Sequence, residues 1–443
     1  MPRSRAPLRP DRRIAYLLGP LLILGCANDG PAPYEGPDVP DAAPKADDGP
    51  AGFPPNLDAK LGLAGGSPCD DSNQCLSGHC TLGVCSDWAH AMKMVIDTTP
   101  TGADVGDAVT AFPLLVRLNA GNFAFAEARQ DGADIRFLDS DGNNLNFEIE
   151  NWGVDFSGGV DFSRADIWVL VPRIAGNSRD TAIIMYWGNP LAAPTSYGPS
   201  VFGDFACAFH MGEDPNTSSV EVEDDSGKNN TGYIQASPGS DLRSEGIIGI
   251  ALQLDGATTF VATEQQLQAL PPAVAVSIWF KTTTASKGAI AGFAKTQTGN
   301  ELPLKFDHSI TMDTSGRLSF AILHGSALAT VTSLASYNDG QWHFVVARLS
   351  GTGQYLFVDG ESVADDPTMT SADSHDGYWR FGEEPLPSSP TDAPDAGAST
   401  GAFFDGTIDE ARVALGEPSD AWIKLSYATQ RKNTTAVVFP TRP

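Results

Sequence analysis

Carboxylate pairs are the first feature of this sequence that could do chemistry. Glu148 and Glu150 stand two residues apart, as do Glu221 and Glu223, and side chains at that spacing point to the same face of a strand. A retaining glycosidase needs two carboxyl groups about 5 Å apart. We interpret both pairs as solvated strand faces rather than as a catalytic pair.

The histidines and the isolated thiol do not suggest a catalytic motif. His210, His343 and His375 are scattered along the chain. Cys207 and His210 lie three residues apart and would point to opposite faces of a strand, so we expect no Cys–His dyad. Cys207 is predicted to be a small buried apolar residue. These residues predict a protein that is not an enzyme.

The N-terminus has the pattern of a secretory signal. Residues 1–13 contain five arginines and one aspartate, and residues 14–25 form an apolar run. This run is shorter than the ~20 residues that a membrane-spanning helix needs, and a basic start before a short apolar run is typical of a signal peptide. The sequence LILGC, which ends at Cys26, resembles the bacterial lipobox. The resemblance implies removal of residues 1–25 and acylation of Cys26.

Acylation would make the protein lipid-anchored in the cell envelope, at the outer membrane or the cell surface. Residues 26–66 are rich in Pro, Ala, Gly and Asp, which predicts a disordered tether. The net charge is −27 and becomes more negative when the basic leader is removed. We therefore expect a lipid bilayer as partner, through the acylated N-terminus, and no nucleic acid.

Residues 67–87 contain four clustered cysteines: Cys69, Cys75, Cys80 and Cys85. In an exported chain such a cluster predicts two disulfides, and the spacing leaves three connectivities open. A zinc site is the alternative, but zinc sites normally contain Cys-x-x-Cys pairs, and no pair here has that spacing. The segment is predicted to be a disulfide-rich module in which cross-links replace a hydrophobic core.

The rest of the chain alternates short apolar runs with turn signals. Strands are predicted at 92–97, 112–118, 134–138, 166–171 and 181–187, and the one helical pattern lies at 420–429. This organisation predicts an all-β fold with two consecutive β-sandwich or jelly-roll domains, after a disordered tether and a small disulfide-linked module.

Residues 88–200 are similar to a bacterial domain of unknown function that is common in envelope proteins, often just before a laminin-G-like jelly roll. The resemblance is carried in order by FPLLVRL (112–118), DGADIRF (131–137), LNFEIENW (145–152), IWVLVP (167–172) and MYWGN (185–189). It implies a β-rich domain and no known activity.

Residues 205–440 resemble the concanavalin A-like lectin/glucanase superfamily in its laminin-G-like branch. The matching segments are FACAFHMG (205–212), DSGKNN (225–230), ALQLDG (251–256), VSIWF (276–280), GQWHFVV (340–346), LFVDG (356–360), FDGTIDEARV (404–413) and WIKLSY (422–427). The resemblance implies a jelly roll. The glucanase branch carries its acids as Glu-x-Asp-x-x-Glu, which this chain lacks.

Two local features of this region predict loops. The insert at 384–402 is rich in Pro, Ser, Asp and Ala and is predicted to be a long exposed loop. Asp359-Gly360 predicts a hairpin with a type I′ turn. The tryptophans Trp279, Trp342 and Trp379 are expected in the core rather than as platforms for sugar rings.

The resemblance also implies calcium at the rim of the sandwich, since many laminin-G-like domains hold one calcium ion there. The oxygen-rich run 224–230 supplies Asp225 and Asn229 as candidate ligands. Asp409, from a strand that matches the superfamily, is the third. The alternative is an ordinary acidic surface turn. Glu410 follows Asp409 directly, so the two acids are expected on opposite faces of their strand.

The sequence as a whole predicts a non-catalytic cell-envelope lipoprotein. Its laminin-G-like jelly roll would present loops that bind carbohydrate or an envelope or extracellular protein. One alternative is a structural or adhesive envelope protein without a small ligand. Another, less favoured because the superfamily's acid motif is missing, is a polysaccharide-cleaving enzyme.

Overall fold

The computed structural model describes residue 68 and residues 79–153, 163–213, 221–236, 242–267, 270–299, 306–325, 327–385 and 401–440. Its regular structure is almost entirely antiparallel β-sheet, which confirms the predicted fold class. Cys26, the tether, Cys69 and Cys75 lie outside the described residues. No helix in the described part of the chain is long and apolar enough to cross a membrane.

The first sandwich follows a short hairpin, whose strands pair Cys80 with Cys85. The strands that precede the second sandwich are β1 Cys80–Thr81, β2 Val84–Cys85, β3 His90–Ile96, β4 Val109–Asn119, β5 Arg136–Asp139, β6 Asn144–Leu145, β7 Phe147–Gly153, β8 Arg164–Ile174 and β9 Ala182–Trp187, and the last strand of the described residues is β28 Val437–Val438. The two sheets of the first sandwich have the strand orders β28-β3-β9-β5-β6 and β4-β8-β7. The five predicted strands of this region correspond to β3, β4, β5, β8 and β9.

The second sandwich is a jelly roll with two larger sheets. The elements of this region are α1 Pro199–Phe202, β10 Phe205–Phe209, β11 Glu221–Val222, β12 Gly232–Gln235, β13 Arg243–Glu245, β14 Ile250–Asp255, β15 Phe260–Thr263, β16 Val274–Lys281, β17 Gly288–Ala294, β18 Phe306–Met312, β19 Arg317–His324, β20 Ala327–Ser336, β21 Trp342–Ser350, β22 Gly353–Val358, β23 Glu361–Asp366, β24 Tyr378–Phe381, β25 Glu383–Pro385, β26 Gly401–Phe403, β27 Asp405–Ala414 and α2 Asp420–Gln430. One sheet has the order β13-β14-β27-β16-β21-β22-β23, with β10 also paired to β27. The other has the order β11-β12-β15-β24-β17-β18-β19-β20, with β26 also paired to β17 and β25 paired to β26.

Alternation of apolar and polar residues explains why these segments pair as sandwiches. In β19 the buried and exposed positions alternate, whereas β16 is buried over nearly its whole length, as expected for a strand covered on both faces. Trp279 and Trp379 are fully buried, as predicted, and Trp342 is partly buried. Cys207 is a free, fully buried cysteine, which confirms its predicted apolar role.

The C-terminal segment returns to the first sandwich. β28 pairs with β3, so that Val437 lies opposite Ile96. Helix α2, which begins at the N-cap Ser419, places Leu425 in the core of the first sandwich. The expected division at 205–440 therefore needs a correction: the end of this segment belongs to the first sheet, because its apolar residues are buried there.

Besides the core inside each sandwich, a further cluster of buried apolar side chains lies between the two sandwiches. Leu115 and Trp168 of the first sandwich pack in it with Phe202, Trp279 and Phe344. The sandwiches are thus in direct contact through buried aromatic and aliphatic side chains.

Two predicted loops have different outcomes. Asp359 and Gly360 both have positive φ, 54° and 85°, and they connect β22 to β23, which confirms the type I′ hairpin. Residues 386–400 of the predicted insert lie outside the described residues. Glu384 was expected in that exposed loop, but it is fully buried in β25. Its strand pairs with β26 and so continues the sheet where a loop was expected.

Candidate functional site

A pocket of about 430 Å³ lies where the first sandwich meets the jelly roll. Strands β7 and β8 form one wall, and the segments that follow β10 and β11 form the other. Its lining is mostly polar and consists of Glu148, Ile149, Glu150, Asn151, Arg164, His210, Gly212, Glu213, Glu223, Asp225, Gly249 and Ile250. The volume is within the range of natural small-molecule sites.

His210 lies at the centre of this site, directly after β10. Its Nδ1 is 2.9 Å from Glu410 Oε1 and 3.4 Å from Glu150 Oε2. Its Nε2 is 3.5 Å from Glu148 Oε2 and 3.6 Å from Asp225 Oδ2. The side chain is only 10% exposed. Four carboxylates from three separate parts of the chain therefore surround one buried imidazole.

Strand β7 supplies two of these carboxylates because of its local shape. Its pairing with β8 shifts register between Ile149 and Asn151, a bulge that re-aims neighbouring side chains. Both Glu148 and Glu150 face His210. The expectation that they share a face is therefore confirmed, but the interpretation as a solvated face is wrong, because their side chains are only 10% and 9% exposed.

Glu410 is held by a network behind the histidine. It lies in β27 at a positive φ of 51°, and it contacts Arg412. The Arg412 guanidinium stacks over the Trp168 ring, with 4.2 Å from Cζ to the ring centroid. Trp168 Nε1 donates a 2.7 Å hydrogen bond to Glu150 Oε2. These contacts fix the carboxylates on the Nδ1 side of His210.

Asp225 is positioned by the turn after β11. Its backbone N–H donates to Ala208 O at 3.0 Å, and the neighbouring Asp224 accepts the backbone N–H groups of Ala208 and Ser226. Gly198 lies against the acids, since a Cβ there would be 2.7 Å from Asp225 Oδ1 and 2.9 Å from Glu148 Oε1. A side chain at this position would have to displace both carboxylates.

Burial and mutual repulsion shift the pKa values of these groups. Burial raises the pKa of Asp225 to about 8. It also raises the pKa of Glu150, to which repulsion from Glu410 adds. Burial alone would lower the pKa of His210, but attraction to Glu410 and Glu150 outweighs it and raises the pKa. Burial opposes ionisation of Glu410, yet His210 and Arg412 lower its pKa.

The three candidate calcium ligands do not form a shared ligand set in the described residues. Asp225 contributes an oxygen to a group with Glu148 and His210 whose ligand atoms all lie within 4.8 Å of one another. Asn229 is exposed, at a positive φ of 59°. Asp409 is fully buried, and its Oδ2 accepts the backbone N–H groups of two residues that follow β13. The calcium ion itself stays a prediction.

Other residues singled out in the sequence are placed elsewhere. Glu223 is exposed at the rim of the pocket, as its solvated-face interpretation requires. Glu221 receives a hydrogen bond from Tyr233 on the neighbouring strand. His343 bridges Asp339 and Asp359, and His375 stacks on a phenylalanine of β17.

Two family descriptions match the chain. Residues 131–211 match the Domain of unknown function (DUF2341), and residues 255–424 match the Concanavalin A-like lectin/glucanases superfamily. The chain carries a DUF2341 domain followed by a concanavalin A-like domain. Of the residues around His210, Glu148 and Glu150 belong to the first match, as His210 itself does, and Asp225 lies between the two matches. Glu410, which contacts His210 but does not line the pocket, belongs to the second match.

Solved structures with a similar sandwich have low sequence identity and low TM-scores. Domain 4 of an extracellular arabinanase from Geobacillus stearothermophilus, in complex with arabinotriose, is 14% identical with a TM-score of 0.35; the match covers 50% of this chain and 97% of that chain. The binding domain of botulinum neurotoxin DC, in complex with rat synaptotagmin II, is 10% identical with a TM-score of 0.37; the match covers 55% and 63%. The binding domain of Paraclostridial mosquitocidal protein 1 is 7% identical with a TM-score of 0.37; the match covers 51% and 52%. The chain spans less than two thirds of the two toxin domains. No curated protein matches this chain.

The arrangement places hydrogen-bond acceptors, titratable carboxyl groups and nitrogen and oxygen atoms that could bind a metal ion in one pocket. Sequence reasoning missed Glu148, Glu150, His210 and Glu410 as members of a common site. The Glu-x-Glu spacing was the available signal. It could not show that the strand would be covered by the second sandwich, in which His210 follows β10.

Proposed function

We propose that this protein is a lipid-anchored cell-envelope protein that binds carbohydrate in the pocket between its two sandwiches. The observation that carries the proposal is this polar pocket of about 430 Å³, which strands β7 and β8 of the first sandwich and connecting segments of the second build together. Known small-molecule sites are concave, largely preformed and often lie between domains.

The polarity of the pocket favours a neutral ligand rich in hydroxyl groups. Carboxylates at Glu213 and Glu223 would accept hydrogen bonds from hydroxyls, and Arg164 and Asn151 would donate or accept others. An anionic ligand would be repelled by the acids around His210 and by the net charge of −27.

The envelope location rests on the N-terminal sequence. We infer that Cys26 is acylated, that residues 27–66 form a spacer, and that the four clustered cysteines at 69–85 pair after export. Such a tether would hold the pair of sandwiches away from the outer membrane or at the cell surface, where glycans are accessible. An envelope or extracellular protein is the alternative partner.

Polysaccharide cleavage is the second candidate, and one observation favours it. Burial raises the pKa of Asp225 to about 8, which favours the protonated form of this carboxyl more than is usual for an aspartate. It lies within 4.8 Å of the Glu148 carboxylate. A protonated acid beside a second carboxyl group is the pairing that glycosidases use. The preferred proposal is binding without catalysis.

A glycan array with the full chain tests the proposal, because a fragment from residue 205 onwards would lack Glu148, Glu150 and Arg164. The matched variants are R164A and R173A: both arginines are exposed on β8, but only Arg164 lines the pocket. We expect R164A to weaken glycan binding about 10-fold, the loss of one charge-assisted hydrogen bond, and R173A to leave it unchanged.

Each other outcome decides against a part of the proposal. Absence of glycan binding by the full chain, or equal weakening by R164A and R173A, would reject the pocket as a glycan site. Release of reducing sugar from a bound polysaccharide, lost in D225N, would establish the second candidate in place of simple binding.

A further inference from the structure

We propose that Glu148, His210 and Asp225 bind a divalent transition-metal ion, with Zn²⁺ as the representative, on the floor of the interdomain pocket. The ligands would be His210 Nε2 and one oxygen of each carboxylate. The inference rests on the proposed function only in taking the same pocket as the ligand site, and it is measured without a glycan.

The first observation is that two buried polar atoms aimed at this point have no hydrogen-bond partner among the described residues. They are His210 Nε2 and Glu148 Oε2, and both side chains are 10% exposed. Buried polar atoms are almost always satisfied, and leaving one unsatisfied is costly. One bound cation would satisfy both atoms at once.

The second observation is the spacing of the donor atoms. His210 Nε2 is 3.5 Å from Glu148 Oε2 and 3.6 Å from Asp225 Oδ2. Zinc bonds of about 2.1 Å in tetrahedral geometry place ligand atoms about 3.4 Å apart. These two separations are close to this value, and the ligand oxygens of Glu148 and Asp225 lie within 4.8 Å of each other, so an ion could enter with small side-chain adjustments.

The third observation is the environment of the other ring nitrogen. His210 Nδ1 is within hydrogen-bond distance of Glu410 Oε1, at 2.9 Å. Histidines that bind metals usually donate the second ring N–H to a carboxylate, which fixes the tautomer and leaves Nε2 as the metal ligand. Arg412 in turn holds Glu410. The support behind the ligand is therefore already present.

The charges around His210 also favour a cation. Four carboxylates lie within 3.6 Å of its ring nitrogens, and Arg412 contacts one of them, Glu410. Buried charges need compensation by partners or metals. A divalent ion between Glu148 and Asp225 would supply two positive charges where the excess of carboxylates is greatest.

The donor set distinguishes the class of metal. Calcium and magnesium prefer oxygen ligands alone, whereas imidazole nitrogen suits zinc and other first-row transition metals. A site centred on His210 therefore differs from a rim calcium site built on Asp225, Asn229 and Asp409. Three protein ligands also leave a fourth position open to the pocket, where a ligand hydroxyl could coordinate.

Isothermal titration calorimetry of the full chain, after chelator treatment, tests the proposal with Zn²⁺, Mn²⁺, Mg²⁺ and Ca²⁺ alone. We expect one Zn²⁺ per chain and weaker binding of Ca²⁺. Removal of a residue that only orients a metal ligand already lowers metal affinity about 10–100-fold. Because Glu148 and Asp225 are proposed as direct ligands, E148Q and D225N should each weaken Zn²⁺ binding by ~100-fold or more.

E223Q is the matched control, since Glu223 is an acid of the same pocket but is not one of the three proposed ligands. Every variant keeps the cysteines of residues 69–85, so any zinc bound by those cysteines would contribute equally to all the titrations. Thermal unfolding without metal shows whether E148Q and D225N fold. H210A, in which the central ligand is absent, should bind no zinc in the pocket.

The proposal is overturned if the full chain takes up no Zn²⁺, or if E223Q weakens binding as much as E148Q. It is also overturned if Ca²⁺ binds more tightly than Zn²⁺ and is lost in D409N. The two proposals fail separately: glycan binding that persists in chelator, together with absent Zn²⁺ binding, rejects the metal and leaves the glycan site.

Discussion

Arg117 of β4 is expected to be the strongest single polar tie of the first sandwich to the end of helix α2 and to the segment after β13, and its replacement by methionine gives a measurable prediction. The guanidinium donates to the backbone carbonyls of Thr429, Gln430 and Arg431 at the end of helix α2. It also donates to Ile247 O at 3.0 Å. A cation at this position interacts favourably with the helix C-terminus, where carbonyls lack intrahelical partners.

The size of the effect follows from these contacts. A hydrogen bond from a charged donor contributes about 1.5–3 kcal/mol, so four such bonds would give roughly 6–12 kcal/mol if they were independent. Arg117 is 24% exposed, and water can partly replace it at the helix end. The mutation also leaves Asp166 without the 3.6 Å ion pair. We expect R117M to lower the free energy of unfolding by about 3–5 kcal/mol, the cost of breaking a buried pair.

Urea unfolding, followed by tryptophan fluorescence, measures this loss. R173M is the matched control, because Arg173 is exposed at the end of β8 and is expected to change the unfolding free energy by no more than about 0.5 kcal/mol. Equal unfolding free energies for R117M and R173M would refute the reasoning, because they would mean that the four carbonyls lose nothing when the guanidinium is absent.

Two further predictions concern the jelly roll. Burial alone would lower the pKa of His343, but its hydrogen bonds to Asp359 and to a neighbouring aspartate outweigh burial and raise that pKa. The protonated imidazole therefore stabilises the folded state fully below the unfolded pKa of about 6.5. This stabilisation is lost as the pH rises through the higher pKa of the folded state. We expect the decrease in unfolding free energy between pH 6 and pH 9 to be smaller in D359N, because asparagine tolerates the positive φ of residue 359 but carries no charge. An unchanged decrease would contradict the assignment of this pH effect to the pair of His343 and Asp359. Gly292→Ala places a Cβ 2.0 Å from the buried Glu384 carboxylate and should destabilise by ~1–3 kcal/mol in thermal unfolding. Gly351→Ala, with no heavy atom within 4 Å, is the control, and equal melting temperatures for the two variants would show that the contact relaxes freely.

Local patterns in the sequence predicted much of the fold. Apolar runs with turn signals located the strands of the first sandwich, because burial on a sheet needs that spacing whatever the partner sheet is. Asp359-Gly360 predicted its hairpin, because few residue pairs tolerate two positive φ values. Cys207 was placed in the core because an isolated thiol between apolar residues packs as a small hydrophobe.

The site could not be predicted in the same way, because its members come from distant parts of the chain. The Glu148 and Glu150 spacing indicates a shared strand face but not what covers that face. The burial of these two glutamates depends on His210, which directly follows β10 in the other sandwich. The return of Val437 to the first sheet is likewise a tertiary contact, and a two-residue strand gives no sequence signal of its partner.

Anomalous X-ray diffraction at the zinc edge, on crystals of the full chain grown with Zn²⁺, tests the central claim most directly. That claim is that the interdomain pocket is a ligand site centred on His210. The account predicts an anomalous peak about 2.1 Å from His210 Nε2, coordinated by Glu148 and Asp225. A well-ordered pocket without such a peak, at a zinc concentration that saturates the protein in solution, would contradict it.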